Sequence, residues 1–195
     1  MSLEGKTAVV IGASGQHNFG VAIAKALANE GAKVIVSGRR QAPLETLASE
    51  IGGIAIPCDM GDEASIQSLF QSASEQAGPV HIAINSAGAL AGNPIAALTR
   101  EAIQPTLDVS FIGALLMFKY AAEVMTEGGS IMTISSLTAR LPGPGLAVYA
   151  AARAGIDYAI KIAAVEYGEQ NIRFNSIAAG LIRTDMTDAI FEHSD

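Results

Sequence analysis

A strand, a glycine-rich loop and a helix follow one another without interruption in residues 6–31, and no other feature limits the fold as strongly. Residues 7–11 are apolar and mostly β-branched, which is typical of a strand buried on both faces. Residues 21–30 are mostly strong helix formers, and Gly31 stands where a left-handed C-cap would. Between them, the glycines of residues 12–20 permit a tight turn and a close backbone approach to an anion at the helix start. The stretch predicts the phosphate-binding half of a dinucleotide-binding fold.

The loop in this stretch is longer than the usual glycine-rich loops of such folds. Neither the G-x-G-x-x-G nor the G-x-x-x-G-x-G spacing fits residues 12–20. If Gly20 is the glycine that packs against the helix, Asn18 takes the place of the middle glycine. A glycine-rich turn without any ligand is the alternative interpretation.

Length and composition indicate one domain, residues 1–195, with a sizeable core. Half of the residues are hydrophobic and 16% are charged, which suits a sheet covered by helices on both faces. The formal net charge of −7 argues against a nucleic-acid or anionic-membrane partner. No apolar run reaches transmembrane length and no basic leader precedes a hydrophobic segment, so we expect a cytoplasmic protein. The single cysteine, Cys58, excludes an internal disulfide and a cysteine-rich metal site; we expect a small buried hydrophobe and no metal.

The second predicted strand, residues 32–37, ends in a sequence that favours NADP over NAD. No acidic residue follows to bind a ribose 2′-hydroxyl, as in NAD-binding versions of the fold. Ser37 and Arg39 stand there instead, and a hydroxyl beside a guanidinium suits a 2′-phosphate. The alternative is that Arg39 and Arg40 are solvated and contact no cofactor.

The rest of the chain alternates helices with strands. We predict helices over residues 41–51, 62–76, 100–125 and 147–168, and strands over 54–58, 80–84, 130–136 and 172–177. This alternation predicts an α/β fold, a doubly wound, Rossmann-like parallel sheet in a three-layer α/β/α arrangement with right-handed crossovers. Asp59 follows the third strand at its carboxyl end, where ligands of such sheets gather. His81 alternates with apolar residues in its strand, so we expect a structural histidine rather than a base.

Four further segments resemble landmarks of the short-chain dehydrogenase/reductase family. Residues 85–88 are similar to the family's Asn-Asn-Ala-Gly, and residues 134–136 to the segment that carries its catalytic serine. Residues 149–155 resemble the Tyr-x-x-x-Lys helix, and residues 172–184 resemble the segment around the family's Pro-Gly. Tyr149 also follows Ser136 by 13 residues, which agrees with the family. The resemblance runs from the first strand to about Thr187.

The resemblance implies an oxidoreductase that moves a hydride between NADP(H) and the hydroxyl/carbonyl pair of a small or medium apolar substrate. Tyr149 would be the acid/base at the substrate oxygen, and Ser136 would hydrogen-bond and orient that oxygen. Arg153, one helical turn after Tyr149, would be the cation that favours the phenolate. Ser110 stands where many members have an asparagine that helps to hold a relay water.

The resemblance also implies an assembly and a set of cofactor-binding residues. Most members form dimers or tetramers through the fourth and fifth helices, here residues 100–125 and 147–168, so we expect a homodimer or homotetramer. Members usually continue through further helices and a seventh strand, and we expect this chain to lack the usual C-terminal strand. The residues expected to bind the cofactor are Gly12, Ser14, Gly15, Asn18, Phe19, Gly20, Ser37, Arg39, Asp59, Met60, Asn85, Ala87, Gly88, Tyr149, Arg153, Gly180, Ile182 and Thr184.

Three positions depart from the family's pattern and leave other functions open. Arg153 replaces a lysine, Ser110 an asparagine, and Ala179 the proline of Pro-Gly. The first two motivate a non-catalytic NADP-binding sensor or scaffold on the same fold. The lengthened glycine loop motivates an enoyl-thioester reductase. That family spaces its tyrosine and lysine further apart, and Ile156 stands seven residues after Tyr149, which counts against it.

Overall fold

Within residues 3–90 and 92–188, which a computed structural model of the protein describes, six strands form one parallel sheet. They are β1 (Thr7–Ile11), β2 (Lys33–Gly38), β3 (Ile54–Pro57), β4 (Ile82–Asn85), β5 (Gly129–Ser136) and β6 (Ile172–Ala179). Their order across the sheet is β3-β2-β1-β4-β5-β6, and every neighbouring pair is parallel. The predicted doubly wound parallel sheet is confirmed. The predicted domain also includes residues 1, 2, 91 and 189–195, which lie outside the described residues.

The connections between the strands are helical, as the alternation predicts. The α-helices of the described residues are α1 (Phe19–Asn29), α2 (Gln41–Ile51), α3 (Glu63–Ala77), α4 (Arg100–Leu107), α5 (Gly113–Glu123) and α6 (Ala147–Glu166). The helix start at Phe19 lies two residues before the predicted one, because the Asn18 side chain accepts a hydrogen bond from Val21 N at 2.9 Å and so caps the helix. The β6 strand runs two residues further than predicted, since Ala178 and Ala179 pair with the end of β5.

The region predicted as one helix over residues 100–125 is interrupted by a π-helical turn, Asp108–Ile112. The turn shifts the register of the helix between α4 and α5. It places Ser110 inside the molecule, where its side chain is fully buried, and it brings Gly113 against the backbone oxygen of Met60. A periodicity argument cannot locate such a turn, because the extra residue leaves the apolar pattern nearly unchanged.

Two apolar layers enclose the sheet. On one face, Val9, Ile11 and Ile35 join a large cluster with residues of α3, α5 and α6. On the other face, Val10 and Val36 join a smaller cluster with residues of α1 and α2. The strands near the centre are therefore buried on both faces, which explains their continuous apolar sequences.

The segment Arg100–Glu123 is long and apolar enough to cross a membrane by length and composition, with a mean hydropathy of 1.2 over its best window. It is the one such helix in the described part of the chain. In the fold it packs against α3 and α6, and Met117, Phe118 and Ala121 lie in the core. The core helix of a folded domain meets the same criteria, so the segment by itself does not indicate a membrane protein.

Candidate active site

A cavity of about 780 Å³ opens at the carboxyl edge of the sheet. It lies between β1 and β4, the neighbouring strands whose following connections pass over opposite faces of the sheet. Ligands of open α/β sheets bind at this switch point. Most of the residues predicted from the sequence line the cavity: Gly12, Ser14, Gly15, Asn18, Phe19, Arg39, Asp59, Met60, Ala87, Gly88, Ser136, Tyr149, Arg153, Gly180, Ile182 and Thr184.

Four predicted residues do not line the cavity but lie beside it. Gly20 packs against the backbone of Gly12, whose oxygen would lie 2.6 Å from an added Cβ. Ser37 and Asn85 are completely buried at the ends of β2 and β4. The carbonyl oxygen of Ser37 accepts hydrogen bonds from the first two N–H groups of the glycine-rich loop, at 2.8 and 2.9 Å. Ser110, the fourth, is buried behind the connection that follows β4.

Two of these buried side chains hold the backbone that borders the cavity. The Oδ1 of Asn85 accepts a hydrogen bond from Ala87 N at 2.9 Å. Ser110 Oγ accepts from Ala89 N at 3.1 Å and donates to Ala89 O at 3.3 Å. These three hydrogen bonds fix the turn after β4, so in this structure Ser110 acts on the backbone rather than on the cavity itself.

The two arginines after β2 have different surroundings. Arg40 Nη2 donates to the carbonyl oxygen of Ser14 at 2.5 Å, which ties it to the glycine-rich loop. Arg39 is exposed, lines the cavity, and makes no hydrogen bond or ion pair within residues 3–90 and 92–188. Arg39 is therefore the guanidinium of the pair that is available to a ligand.

Ser136 lines the cavity, and its hydroxyl hydrogen is not used by the two hydrogen bonds that its Oγ accepts. It ends β5, and its Oγ accepts hydrogen bonds from Thr138 N at 3.2 Å and from Thr138 Oγ1 at 2.9 Å. A hydroxyl has one hydrogen and two lone pairs, so both acceptor positions are occupied and the hydrogen remains to be donated. The two hydrogen bonds from Thr138 thus leave Ser136 to act as a hydrogen-bond donor.

Tyr149 and Arg153 lie one turn apart on the same side of α6, and both line the cavity. The Arg153 guanidinium stacks over the Tyr149 ring, with Cζ 5.1 Å from the ring centroid. Arg153 is 3% exposed; its Nη2 donates to Ala87 O at 3.1 Å, and its buried Nε and Nη1 have no partner among the described residues. A buried guanidinium with two unused donors is costly unless a ligand completes its hydrogen bonds.

Cys58 lines the cavity as well, although the sequence suggests only a buried hydrophobe. It is 3% exposed, and burial raises the pKa of its thiol to about 11. The thiol therefore stays protonated near neutral pH and is a poor nucleophile.

Sequence reasoning missed several residues that border the cavity. The contact of Thr138 with Ser136 could have been found, because a serine hydroxyl often accepts a hydrogen bond from the backbone N–H two residues further on. Arg40 and Asp185 contact the glycine-rich loop from distant parts of the chain and carry no local signal. Apolar side chains also line the cavity, namely Leu137, Leu181 and Met186.

Comparison with known proteins places these features in a family. A family model described as enoyl-(acyl carrier protein) reductase matches residues 12–195. A dehydrogenase/reductase from Sinorhizobium meliloti superposes with a TM-score of 0.90 at 33% identity, over 95% of this chain and 75% of that chain. The chain belongs to the short-chain dehydrogenase/reductase family. The family predicted from the sequence is confirmed, and the protein is an NAD(P)-dependent oxidoreductase that acts on CH–OH groups.

Two further short-chain dehydrogenase/reductase relatives differ in the cofactor that their names give. The enoyl-(acyl-carrier-protein) reductase (NADH) FabI of Bacillus subtilis is 34% identical over 94% of this chain and 75% of its own length. A short-chain dehydrogenase from Burkholderia cenocepacia, solved in complex with NADP, is 30% identical over 95% of this chain and 78% of its own, with a TM-score of 0.89. The comparisons thus support a nicotinamide cofactor without deciding between NAD and NADP.

The residues present at the cavity fit such a cofactor. Arg153 has two buried N–H donors that need acceptors, which ribose hydroxyls can supply. The backbone N–H groups of Phe19 and Gly20 begin α1 and have no partner within the helix, so they suit a phosphate. Arg39 lines the part of the cavity next to the end of β2 and has no hydrogen-bond or ion-pair partner among the described residues.

Proposed function

We propose that the protein is an NADPH-preferring oxidoreductase that interconverts the hydroxyl and carbonyl forms of a small or medium apolar substrate. One observation carries the proposal. The free hydroxyl hydrogen of Ser136, the hydroxyl of Tyr149 and the buried guanidinium of Arg153 border the same cavity at the carboxyl edge of the sheet.

Each of these groups has a part in carbonyl reduction. The cofactor, when bound, supplies the hydride for the carbonyl carbon. Ser136 donates a hydrogen bond to the substrate oxygen and fixes its place. Tyr149 gives its hydroxyl proton to that oxygen as negative charge develops there. Arg153 stabilises the phenolate that remains, because a fixed cation beside the ring favours the charged form. Alcohol oxidation runs through the same groups in reverse.

Arg153 differs from the lysine of the family in how it is held. Its Nη2 is committed to Ala87 O, while Nε and Nη1 are left to bind ribose hydroxyls. A guanidinium keeps its charge at every physiological pH and offers donors in a fixed plane. We therefore assign Arg153 the same two tasks as the lysine, orienting the cofactor and supporting Tyr149, with a more rigid geometry.

The preference for NADPH rests on Arg39. Its guanidinium is exposed at the cavity and is not used by any other described residue, whereas Arg40 is tied to Ser14. A guanidinium binds a phosphate dianion strongly and a ribose hydroxyl weakly.

An apolar substrate is supported by exposed apolar side chains at the cavity. Leu137, Leu181 and Met186 are 41%, 62% and 48% exposed, and all three line the cavity. Exposed large apolar side chains grouped at a cavity indicate a binding surface for apolar groups.

A second candidate function is the reduction of an enoyl thioester. The family model that matches and the relative from Bacillus subtilis both carry that activity in their descriptions. Residue 156, seven positions after Tyr149, is a fully buried isoleucine and supplies no cation. The cation beside the tyrosine is Arg153, at four positions, which favours the hydroxyl/carbonyl reaction.

Turnover by the wild-type protein and by Tyr149→Phe tests these functions. We expect NADPH oxidation with apolar ketones, and a loss of about 100-fold or more in kcat for Tyr149→Phe with NADPH binding retained. A matched pair of a 3-oxoacyl and an enoyl thioester separates the two reductase activities. NADPH binding without turnover on any carbonyl or enoyl compound would establish the sensor or scaffold instead.

The surface of the protein supports a proposal for its assembly and its location. We propose a homodimer or homotetramer formed through α5 and α6, since Tyr158, Ile162 and Val165 leave an apolar stripe exposed along α6. The net charge of −7 and the packing of Arg100–Glu123 into the core support a cytoplasmic protein without a nucleic-acid or membrane partner.

A further inference from the structure

A carboxylate from the segment after β6 is bound by the backbone of the glycine-rich loop. The Oδ2 of Asp185 accepts a hydrogen bond from Gln16 N at 2.7 Å, and Oδ1 accepts one from His17 N at 2.9 Å. The backbone closes the contact from the other side, because Asp185 N donates to His17 O at 3.0 Å. Three hydrogen bonds thus join parts of the chain that are 168 and 169 residues apart.

The bound carboxylate leaves the start of α1 available. Gln16 and His17 lie on the outer part of the loop and spend their N–H groups on Asp185. Asn18 caps the helix by accepting from Val21 N. The N–H groups of the first helical residues, beginning at Phe19, remain for a phosphate. Asp185 therefore does not use these N–H groups, and its contact joins the segment after β6 to the outer part of the glycine-rich loop.

The segment that carries Asp185 is itself held in a turn. Thr187 Oγ1 donates to Ile182 O at 2.5 Å and accepts from Thr184 N at 2.9 Å, and Thr187 N donates to Thr184 O at 2.9 Å. Thr184, Asp185 and Thr187 border the same cavity as the glycine-rich loop. The turn and the loop are consequently two sides of one opening, and Asp185 ties them together.

We propose that Asp185 is a positioning residue that straps the segment after β6 to the glycine-rich loop and so slows the release of the bound cofactor. The proposal rests on the proposed function for the identity of the cofactor, but the contact itself exists without one. Release requires the hydrogen bonds to the Asp185 carboxylate to break. These bonds are charge-assisted, and two parallel ones to a single carboxylate hold a fixed geometry.

Hydrogen exchange on the unliganded protein tests the contact independently of any cofactor. In wild type we expect the backbone amides of Gln16 and His17 to exchange slowly relative to other loop amides, and in Asp185→Ala to exchange at least about fivefold faster. Asp188→Asn is the matched control, since Asp188 is on the same segment, pairs with Arg183 Nε at 3.0 Å and does not touch the loop. Equal exchange in wild type and Asp185→Ala would overturn the proposal.

Cofactor release gives the second readout. The chain has no tryptophan, so the emission of NADPH is followed directly while excess NADP⁺ displaces it in a stopped-flow mixer. We expect the release rate to rise about five- to tenfold in Asp185→Ala, less in Asp185→Asn, which keeps one acceptor oxygen, and not at all in Asp188→Asn. Removing a negative charge near an anionic ligand slows its release, so the electrostatic effect alone would act in the opposite direction.

The outcomes separate the strap from the proposed function. Binding of NADPH by wild type, with equal release from Asp185→Ala and Asp188→Asn, would overturn the strap and leave the function standing. Slower release from Asp185→Ala would also overturn it, because the carboxylate would then compete with the cofactor. Failure of wild type to bind NADPH or NADH would overturn the proposed function together with the strap's effect on release.

Discussion

The position of the Arg153 guanidinium depends on the missing side chain at Gly88. A Cβ at residue 88 would collide with Arg153 Nη2 and would lie 3.5 Å from Cζ and 3.9 Å from Ser110 Oγ. The guanidinium therefore fills space that any larger residue at 88 would take. Arg153 Nη2 donates to the carbonyl oxygen of Ala87, the residue before Gly88. This hydrogen bond forms only because the backbone at Gly88, which has no side chain, lies close to the guanidinium.

Gly88→Ala should displace the guanidinium and lower kcat by about 10- to 100-fold, because a shift of about 1 Å in a positioning group costs this much. Gly92→Ala is the control, since a Cβ at residue 92 meets nothing within 4 Å. Steady-state kinetics of both variants, and of Gly88→Ala combined with Arg153→Ala, measure the effect. If kcat of the double variant falls by the product of the two factors measured for the single variants, the two residues act independently and the argument fails.

Arg39→Ala should weaken NADPH binding by about 1–3 kcal/mol and leave NADH binding nearly unchanged, since only NADPH carries the 2′-phosphate. Arg40→Ala should affect both cofactors alike, because the Arg40 guanidinium donates to Ser14 O and supports the glycine-rich loop, which both cofactors would contact. Titrations of the Arg39→Ala and Arg40→Ala proteins with NADPH and with NADH give four dissociation constants, and each is compared with the wild-type value. Equal losses of NADPH and NADH affinity in Arg39→Ala would remove the 2′-phosphate argument.

At the scale of elements, the π-helical turn Asp108–Ile112 connects the helices to the cavity. It directs Ser110 toward Ala89, and it brings the first residue of α5 against the connection after β3. A Cβ at Gly113 would collide with Met60 O and would lie 2.9 Å from Asp108 O. Both neighbours are backbone atoms, which have little freedom to move away.

Gly113→Ala should therefore destabilise the protein by about 1–3 kcal/mol, as overpacking does in a tightly packed interior. Gly168→Ala is the matched substitution in open space, and we expect a change between neutral and about 1 kcal/mol of stabilisation. Chemical denaturation followed by circular dichroism compares the two free energies of unfolding. A Gly113→Ala protein as stable as Gly168→Ala would show that α5 can move away from Met60.

The elements that could be predicted from the sequence are those with local signals. The run of β-branched residues and the glycine-rich loop predicted β1, and they predicted the start of α1 to within two residues. The π-helical turn Asp108–Ile112 could not be predicted, because one extra residue in a helix leaves the apolar pattern nearly unchanged. In the candidate site, the motifs around Ser136 and Tyr149 predicted which residues border the cavity, whereas the contact of Asp185 with the loop joins distant segments and leaves no local pattern.

At the scale of the whole molecule, α6 has two different faces. Ile156, Ile160 and Ala163 are buried in the core, while Val165 is 82% exposed and Tyr158 is 66% exposed. Leu115 of α5 is exposed as well. A surface helix of a monomer is usually polar on its outer face, so the apolar stripe fits contact with a second copy of the chain.

Val165→Glu should shift the protein toward monomer, since it places a charge in the proposed contact, where burying it has a desolvation cost. Ile95→Glu introduces the same charge at another exposed apolar residue, outside α5 and α6, and should leave the assembly unchanged. Sedimentation velocity over a range of concentrations distinguishes the species. A wild-type monomer, or the same shift in both variants, would contradict an assembly through these helices.

Transfer of deuterium in a single turnover tests the proposed chemistry most directly. NADPH deuterated at the reactive C4 position is mixed with excess wild-type protein and an apolar ketone, and the alcohol is analysed by mass spectrometry. We predict one deuterium on the carbinol carbon with wild type and, at the same short reaction time, about 1% of that amount or less with Tyr149→Phe, whose affinity for NADPH we expect to be unchanged. Transfer by Tyr149→Phe at the wild-type rate, or no transfer by a wild-type protein that binds NADPH, would contradict the assignment of Tyr149, Ser136 and Arg153 to the reaction.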